Sequence, residues 1–529
     1  MKFRLLFLLT FFLLLYSALI FNTYKLQILK GDYFTARAAS QSRLAGFMDS
    51  VRGSIFFTDR NGNPVPAAIN KEYPVIYAVP KEIADPAMVA GKLAEVLGLN
   101  QPQLLISLSK PSDPFEPILK KATAAQVAAV RGENLPGIYI DQERFRFYPF
   151  AGLASQVLGF LAPTADNPAP EGKYGIEEKF NPELSGKHSE SISLTIDPNI
   201  QTRAEEVLAG LISQFKAEGG TVIVQDPKTG KILAMGSQPS FDPNNYGDYK
   251  LNNFMNPAVQ SIYEPGSIFK VITMSAGIDS GKITPDTTFT DTGSVTLDGR
   301  TIKNWDKKAH GKVTMTEVIE QSINTGAVFA ARKTGRDTFY KYVLDFGFSD
   351  LAGIELPGEV AGDLNNLKTS FRDINFATAS FGQGVAITPL ALINAVSAIA
   401  NQGILMKPYI LGDTEPRAVR QVISPESARA VTGMMVSAVK KAQVAQIPKY
   451  DIAGKTGTAQ IPDLIHGGYQ EKYIHTYVGF APAYNPSFTI LLKLNKPNVT
   501  LAGMTVVPAF RELAEFILTY YNVPPDQLE

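Results

Sequence analysis

The chain has 529 residues, 45% of them apolar and 10% aromatic, enough to bury the cores of two or more domains. Its 50 lysines and arginines balance 50 aspartates and glutamates, so net charge offers nothing to nucleic acid, and no basic cluster with interleaved aromatics appears. The absence of cysteine excludes thiol catalysis, disulfides and thiolate metal sites, and the histidines (His188, His310, His466, His475) form no ligand-spaced pair, which argues against zinc or serine–histidine chemistry.

Residues 1–4 carry Lys2 and Arg4, and an apolar run follows from Leu5 to Phe21. Its small residues, Ser17 and Ala18, lie inside the run and not beyond it, so it reads as an uncleaved signal anchor that leaves 1–4 in the cytoplasm and exports the rest. From 22 to 190 the texture is mixed, with a strand at Val75–Val79, a helical patch at Ala87–Leu97 and a hairpin turn at Asn61-Gly62. Glu143–Pro149 reads as an exposed strand of alternating charge. No catalytic pattern appears, and the segment is expected to be a spacer or docking pedestal.

Regular elements begin at 191. A helix is expected over Asn199–Gln214, a hairpin over Thr221–Met235, helical segments from Ser267 to about Gly403, strands near Ile452–Ala459, Tyr473–Phe480 and Phe488–Leu494, and a closing helix over Val507–Tyr521. Early and late strands around a helical middle predict an α+β domain, one antiparallel sheet flanked by helices.

Three motifs in this domain carry chemistry. In Glu264-Pro265-Gly266-Ser267-Ile268-Phe269-Lys270 the Pro-Gly pair places Ser267 at the first turn of an apolar helix. Lys270, three residues on, shares its face, so its amine can reach the hydroxyl. A neutral amine beside a serine can take its proton during attack on a carbonyl, and burial with a second cation nearby would keep it neutral. The pattern Thr314-Met315-Thr316-Glu317 predicts a capping box, and the helix it starts runs into Ser322-Ile323-Asn324-Thr325-Gly326, where Asn and Gly favour a break. Ser322 and Asn324 would then point from a loop, the hydroxyl able to relay a proton and the amide to bind a peptide, though alone the stretch reads as a helix-ending turn. The third motif, Lys455-Thr456-Gly457-Thr458, lies on a strand whose small residues let a substrate backbone come close. A phosphate-loop reading fails because Lys449 stands where that loop needs glycine, and Gly382-Gln383-Gly384 reads as a tight turn under the site.

In this order the three motifs match the signature of penicillin-binding proteins and serine β-lactamases. With Arg52-Gly53, Asp59-Arg60-Asn61-Gly62, Tyr174-Gly175-Ile176-Glu177, Glu264-Pro265-Gly266 and Gly382-Gln383-Gly384, the chain resembles a class B penicillin-binding protein. Tyr148-Pro149-Phe150-Ala151-Gly152 departs from the family spacing by an insertion. The resemblance implies a transmembrane anchor at 5–21, a non-catalytic, dimerisation-like pedestal at 22–190 and a D,D-transpeptidase domain at 191–529, outside the plasma membrane of a bacterium. It implies Ser267 as acylated nucleophile, Lys270 as base, Ser322 as proton shuttle, Asn324 holding the donor peptide and Lys455 supplying positive potential. The amides of Ser267 and Thr458 would form an oxyanion hole, and Thr456, Gly457 and Thr458 would bind substrate, the two hydroxyls taking its terminal carboxylate. Stem peptides of peptidoglycan would be the substrates, β-lactams would acylate Ser267, and a separate SEDS-type glycan polymerase would be the partner, with no metal or organic cofactor. A β-lactam sensor, a β-lactamase-like hydrolase and a non-catalytic scaffold are the rival readings.

Overall fold

The computed structural model describes residues 11–13, 15–17, 19–21, 23–24, 52–110, 113, 115–164, 170–185, 189–369, 372–463 and 466–526. The expected anchor at 5–21 lies partly outside them; its described residues are helical, with Phe11, Leu15 and Ile20 exposed. No helix among the described residues is long and apolar enough to cross a membrane.

The N-terminal part is built on β1 (Ile55–Thr58) and β2 (Pro64–Ala78), joined by the turn that Asn61-Gly62 predicts. Asp59 Oδ1 closes this turn by accepting from the N–H groups of Asn61 and Asn63, both at 2.8 Å. Helices α1 (Pro86–Leu97), α2 (Gln101–Leu108) and α3 (Ala124–Glu133) pack Leu93, Leu104 and Val130 into a small distal core with Ile76. Strands β3 (Glu116–Leu119) and β4 (Ile138–Phe147) pair antiparallel with β2, and β5 (Ile192–Ser193) pairs parallel with β1. The proximal half is different. Ile55, Phe57, Val157 and Phe160 belong to the same buried core as Ile268 and Phe269, so apolar packing runs continuously across residue 190.

Around the fully buried Glu177, on the short helix α4 (Gly175–Lys179), two motifs far apart in the chain meet. Arg52 Nε donates to its Oε2 at 2.7 Å, and Arg146 Nε and the Tyr148 hydroxyl donate to Oε1 at 2.7 and 3.1 Å. Arg146 therefore corrects the expectation of an exposed charged strand: β4 is a strand, but this guanidinium is buried because it neutralises Glu177 and donates to Gly53 O at 2.8 Å. Removing one member of a buried ion cluster leaves the others uncompensated, so Glu177→Ala is expected to cost about 3–5 kcal/mol. Urea unfolding checks this, and unchanged stability would contradict it.

In the C-terminal part, α5 (Pro198–Phe215) starts where Asp197 caps the N–H groups of Asn199 and Ile200 and Pro198 occupies the first helical position. Strands β6 (Gly219–Gln225) and β7 (Ile232–Gln238) form the expected hairpin. Helix α6 (Phe269–Asp279) follows, buried from Phe269 to Gly277 as a helix apolar on all sides must be. The stretch expected to be all helical then departs into four short strands, β8 (Thr288–Asp291), β9 (Ser294–Leu297), β10 (Arg300–Lys303) and β11 (Gly311–Thr314), pairing β8 with β11 and β9 with β10. Next come α7 (Met315–Glu320), α8 (Asn324–Thr334), α9 (Pro389–Ala400) and α10 (Pro425–Ala442), and finally β12 (Ala453–Pro462), β13 (Tyr469–Ala481), β14 (Phe488–Asn495) and α11 (Val506–Tyr520).

One antiparallel sheet in the order β12-β13-β14-β6-β7 organises the domain. Helices α5 and α11 cover one face through Leu208, Phe510 and Ile517, while α9 and α10 pack on the other and α6 packs against α10. The antiparallel sheet and its two helical layers are those the sequence predicts. Among the described residues strand β12 pairs only with β13, so the Lys455-Thr456-Gly457-Thr458 strand forms the edge of the sheet, beside the start of α6.

Candidate active site

Pro265 and Gly266 lead into a tight 3-10 turn, Gly266–Ile268, and only then into α6. Ser267 thus sits on this turn and not in the helix's first α-turn, as a 3-10 entry to a helix allows. Backbone bonds hold the turn from below: Tyr263 and Ile387 exchange N–H···O bonds of 3.0 and 2.9 Å, and Gly266 N donates to Gly382 O at 3.2 Å. Gly382-Gln383-Gly384 accordingly lies under the site. Ser267 is half-buried and Lys270 fully buried.

Lys270 Nζ is not hydrogen-bonded to Ser267. It contacts Ser322 O at 2.5 Å, Asn324 Oδ1 at 2.8 Å and Ser322 Oγ at 3.1 Å. Burial, and secondarily the charge of Lys455, lowers its pKa well below the ordinary lysine value. A neutral amine has two N–H groups and one lone pair. The two carbonyl oxygens can only accept and take both N–H groups, so the lone pair is left for a hydroxyl.

Ser322 turns the chain between α7 and α8 at φ +55°, a left-handed conformation uncommon for a side chain with Cβ. Thr314 and Glu317 form the capping box expected at the start of α7. Two details of the motif differ from expectation. Asn324 is the first residue of α8 and not a loop residue, and Gly326 lies inside that helix and does not break it. A Cβ on Gly326 would fall 2.3 Å from Val318 Cγ2, so the glycine serves close packing of α8 on α7. Asn324 Nδ2 donates to Lys303 O at 3.0 Å, which fixes its oxygen toward Lys270.

Lys455, buried on β12, donates to Ser322 Oγ and to Thr456 O, each at 3.0 Å. Burial lowers its pKa to about 7. Two amines facing one hydroxyl do not both stay charged, and Lys270, on which the charge of Lys455 acts in addition to burial, is the one held neutral. The resulting polarity is Lys455 N–H to Ser322 Oγ, and Ser322 O–H to the Lys270 lone pair. A Cβ on Gly457 would lie 2.7 Å from Pro265 O and 3.2 Å from Ile268 Cγ1. Its smallness therefore admits the turn that carries Ser267, where the sequence pattern predicts a substrate backbone. Thr456 and Thr458 alternate onto the opposite face and are half-buried. Thr458 Oγ1 accepts from Ala502 N at 3.3 Å, which leaves its own proton free to donate.

The sequence points to Ser267, Lys270, Ser322, Asn324, Lys455, Thr456, Gly457 and Thr458, and the structure brings together the turn of Ser267, the helix of Lys270, the turn of Ser322 into α8 and the sheet edge that carries the other four. Sequence reasoning misses the groups that steady them. Lys303 O orients Asn324, and Trp305, exposed, donates its indole N–H to Gln321 O at 3.0 Å beside Ser322. Glu264 accepts from Gly384 N at 2.8 Å and from the Tyr469 hydroxyl at 3.0 Å, tying the start of β13 to the segment that leads into Ser267. Only Glu264 carried a signal, its place in the Glu-Pro-Gly-Ser run.

Residues 220–515 match the penicillin binding protein transpeptidase domain, and residues 48–207 match the penicillin-binding protein dimerisation domain. Stage V sporulation protein D of Bacillus subtilis is 31% identical over 99% of this chain and 86% of its own length. Peptidoglycan D,D-transpeptidase FtsI of Escherichia coli K12 is 28% identical over 95% of this chain and 89% of its own. Among solved structures, penicillin binding protein 3 of Mycobacterium tuberculosis, complexed with aztreonam, superposes with a TM-score of 0.70 at 26% identity, covering 90% of this chain and 98% of that one. The chain belongs to the penicillin-binding protein family, as a transpeptidase with an accompanying dimerisation domain.

Proposed function

We propose that the protein is a serine D,D-transpeptidase that cross-links peptidoglycan stem peptides through an acyl-enzyme on Ser267 and is acylated there by β-lactams. The observation that carries this reading is Ser322 Oγ standing between Lys270 Nζ and Lys455 Nζ, at 3.1 and 3.0 Å. Ser267 Oγ attacks the carbonyl of the penultimate D-alanine and its proton passes to Lys270, a contact that tightens with substrate in place. Ser322 gives its proton to the leaving D-alanine amine and is reprotonated from Lys270. An amine from a neighbouring strand then attacks the ester, and the protons return by the same route. The amides of Ser267 and Thr458 receive the developing oxyanion. Thr456 and Thr458, with Lys455 behind them, take the substrate carboxylate, and β12 offers an open strand edge to the peptide.

The pedestal at 22–190 carries the enzyme domain, 191–529, away from the plasma membrane, in which the apolar run at 5–21 anchors the chain. A separate SEDS-type polymerase supplies the glycan strands. Deleting residues 1–24 is expected to move the protein from the membrane pellet to the soluble fraction, and full retention in the pellet would contradict the anchor. Labelling with a fluorescent penicillin tests the activity. Label stable for hours, with cross-linking of stem peptides to an amine acceptor, is expected. Label lost within minutes would make the protein a hydrolase, and stable label without cross-linking would make it a sensor.

A further inference from the structure

Between the four-strand excursion and the start of α8 lies a buried carboxylate for which the mechanism above has no use. Asp291, at the end of β8, is completely enclosed. Its Oδ1 accepts from Thr325 Oγ1 at 2.6 Å and from Gly293 N at 2.8 Å. Its Oδ2 accepts from Asn304 Nδ2 at 2.7 Å and from His310 N at 2.9 Å, with His310 Nδ1 at 3.2 Å. Burial alone would raise the pKa of this carboxyl, yet the hydrogen bonds from Thr325, Gly293, His310 and Asn304 bring it below the ordinary value. Asn304 uses its other end on the same helix start, its Oδ1 accepting from Thr325 N at 3.2 Å and lying 3.1 Å from Thr325 Oγ1, whose one proton goes to the nearer Asp291.

These bonds bracket the catalytic asparagine on both sides. Asn304 follows Lys303, whose carbonyl receives Asn324 Nδ2, and Thr325 follows Asn324. We propose that Asp291 and Asn304 are positioning residues for the acylation step, holding the Lys303 carbonyl and the first turn of α8 so that Asn324 turns its oxygen, and not its N–H2, to Lys270. The orientation decides whether the base is available. An asparagine oxygen takes an N–H of the neutral amine and leaves the lone pair to a serine hydroxyl, Ser322 at rest and Ser267 during attack. A flipped amide would donate to that lone pair and occupy the base. Asparagine cannot replace Asp291, because its N–H2 would face a fixed backbone donor in either orientation, Gly293 N or His310 N.

The inference rests on the transpeptidase reading, and its test uses the full chain with fluorescent penicillin, measuring the first-order acylation constant at saturation and the half-saturating concentration. Asp291→Asn and Thr325→Val are expected to slow acylation about tenfold or more, since small displacements of catalytic groups cost this much, with half-saturation within about twofold of wild type. Thr325→Ser, which keeps the hydroxyl donor, is expected to acylate at nearly the wild-type rate. If Asp291→Asn does not fold, the Thr325 pair decides. Wild-type rates in folded Asp291→Asn, equal rates in Thr325→Val and Thr325→Ser, or a smaller labelled fraction at an unchanged rate would each overturn the positioning role and leave the transpeptidase reading standing. A wild-type protein that takes no label would overturn both.

Discussion

Ser267→Ala is expected to abolish covalent labelling by penicillin and to lower cross-linking by at least about 10⁴-fold, because loss of the nucleophile in a covalent mechanism cannot be made up by the remaining groups. The fold should survive. Ser267 is half-buried, and the bonds that hold its turn are backbone bonds from Tyr263, Gly266, Gly382 and Ile387, which the substitution leaves in place. Substitutions outside a packed core usually shift stability by about 0.5 kcal/mol or less. An alanine variant that melts like the wild type and yet takes label would show that another residue is the nucleophile.

Lys270→Met, which keeps the length and apolar stem but has no base, is expected to slow acylation by about 10²–10⁴-fold, the usual range for removal of a general base. The pH dependence follows from the two lysines. Acylation needs Lys270 neutral, so the rate falls as pH drops through its pKa, which burial and then Lys455 hold well below 10.5. Removing the positive charge in Lys455→Met removes the second cause, raises the Lys270 pKa and moves the acid limb to higher pH. Loss of the Lys455 proton, whose pKa burial sets at about 7, opposes binding of an anionic substrate on the alkaline side, and a bound carboxylate pushes that limb upward. A pH–rate profile of penicillin acylation for the three proteins checks the signs. An acid limb that moves to lower pH in Lys455→Met would contradict the electrostatic coupling.

The parts of this molecule legible in the sequence are those set by local pattern. Asp197-Pro198 starts α5, the hairpin of β6 and β7 follows from two apolar runs around the turn Asp226-Pro227-Lys228-Thr229-Gly230, and three short motifs in one order single out the residues that gather at the site. What stayed hidden depends on distant partners. Arg52 and Glu177 are 125 positions apart, and nothing near Arg146 distinguishes a buried guanidinium from a solvated one. The strands from 288 to 314 are four residues each and leave little room for a period-2 pattern, so the stretch reads as a link between helices. Asn324 and Gly326 look like a helix end because their propensities say so. Tertiary contacts override them, with Lys303 O and Asn304 holding the first turn and Val318 filling the space against the glycine. Gly457 shows the same limit: the pattern says that something must come close, and only the fold shows that it is Pro265 and Ile268.

The most direct measurement is mass spectrometry of the intact protein, and of its proteolytic peptides, after incubation with a stem peptide ending in D-alanyl-D-alanine, with and without an amine acceptor. Without acceptor, the stem peptide less one D-alanine should be found on the peptide containing Ser267. With acceptor, that adduct should decay as cross-linked product appears. An adduct on any other residue, or cross-linking that proceeds in Ser267→Ala, would contradict the mechanism.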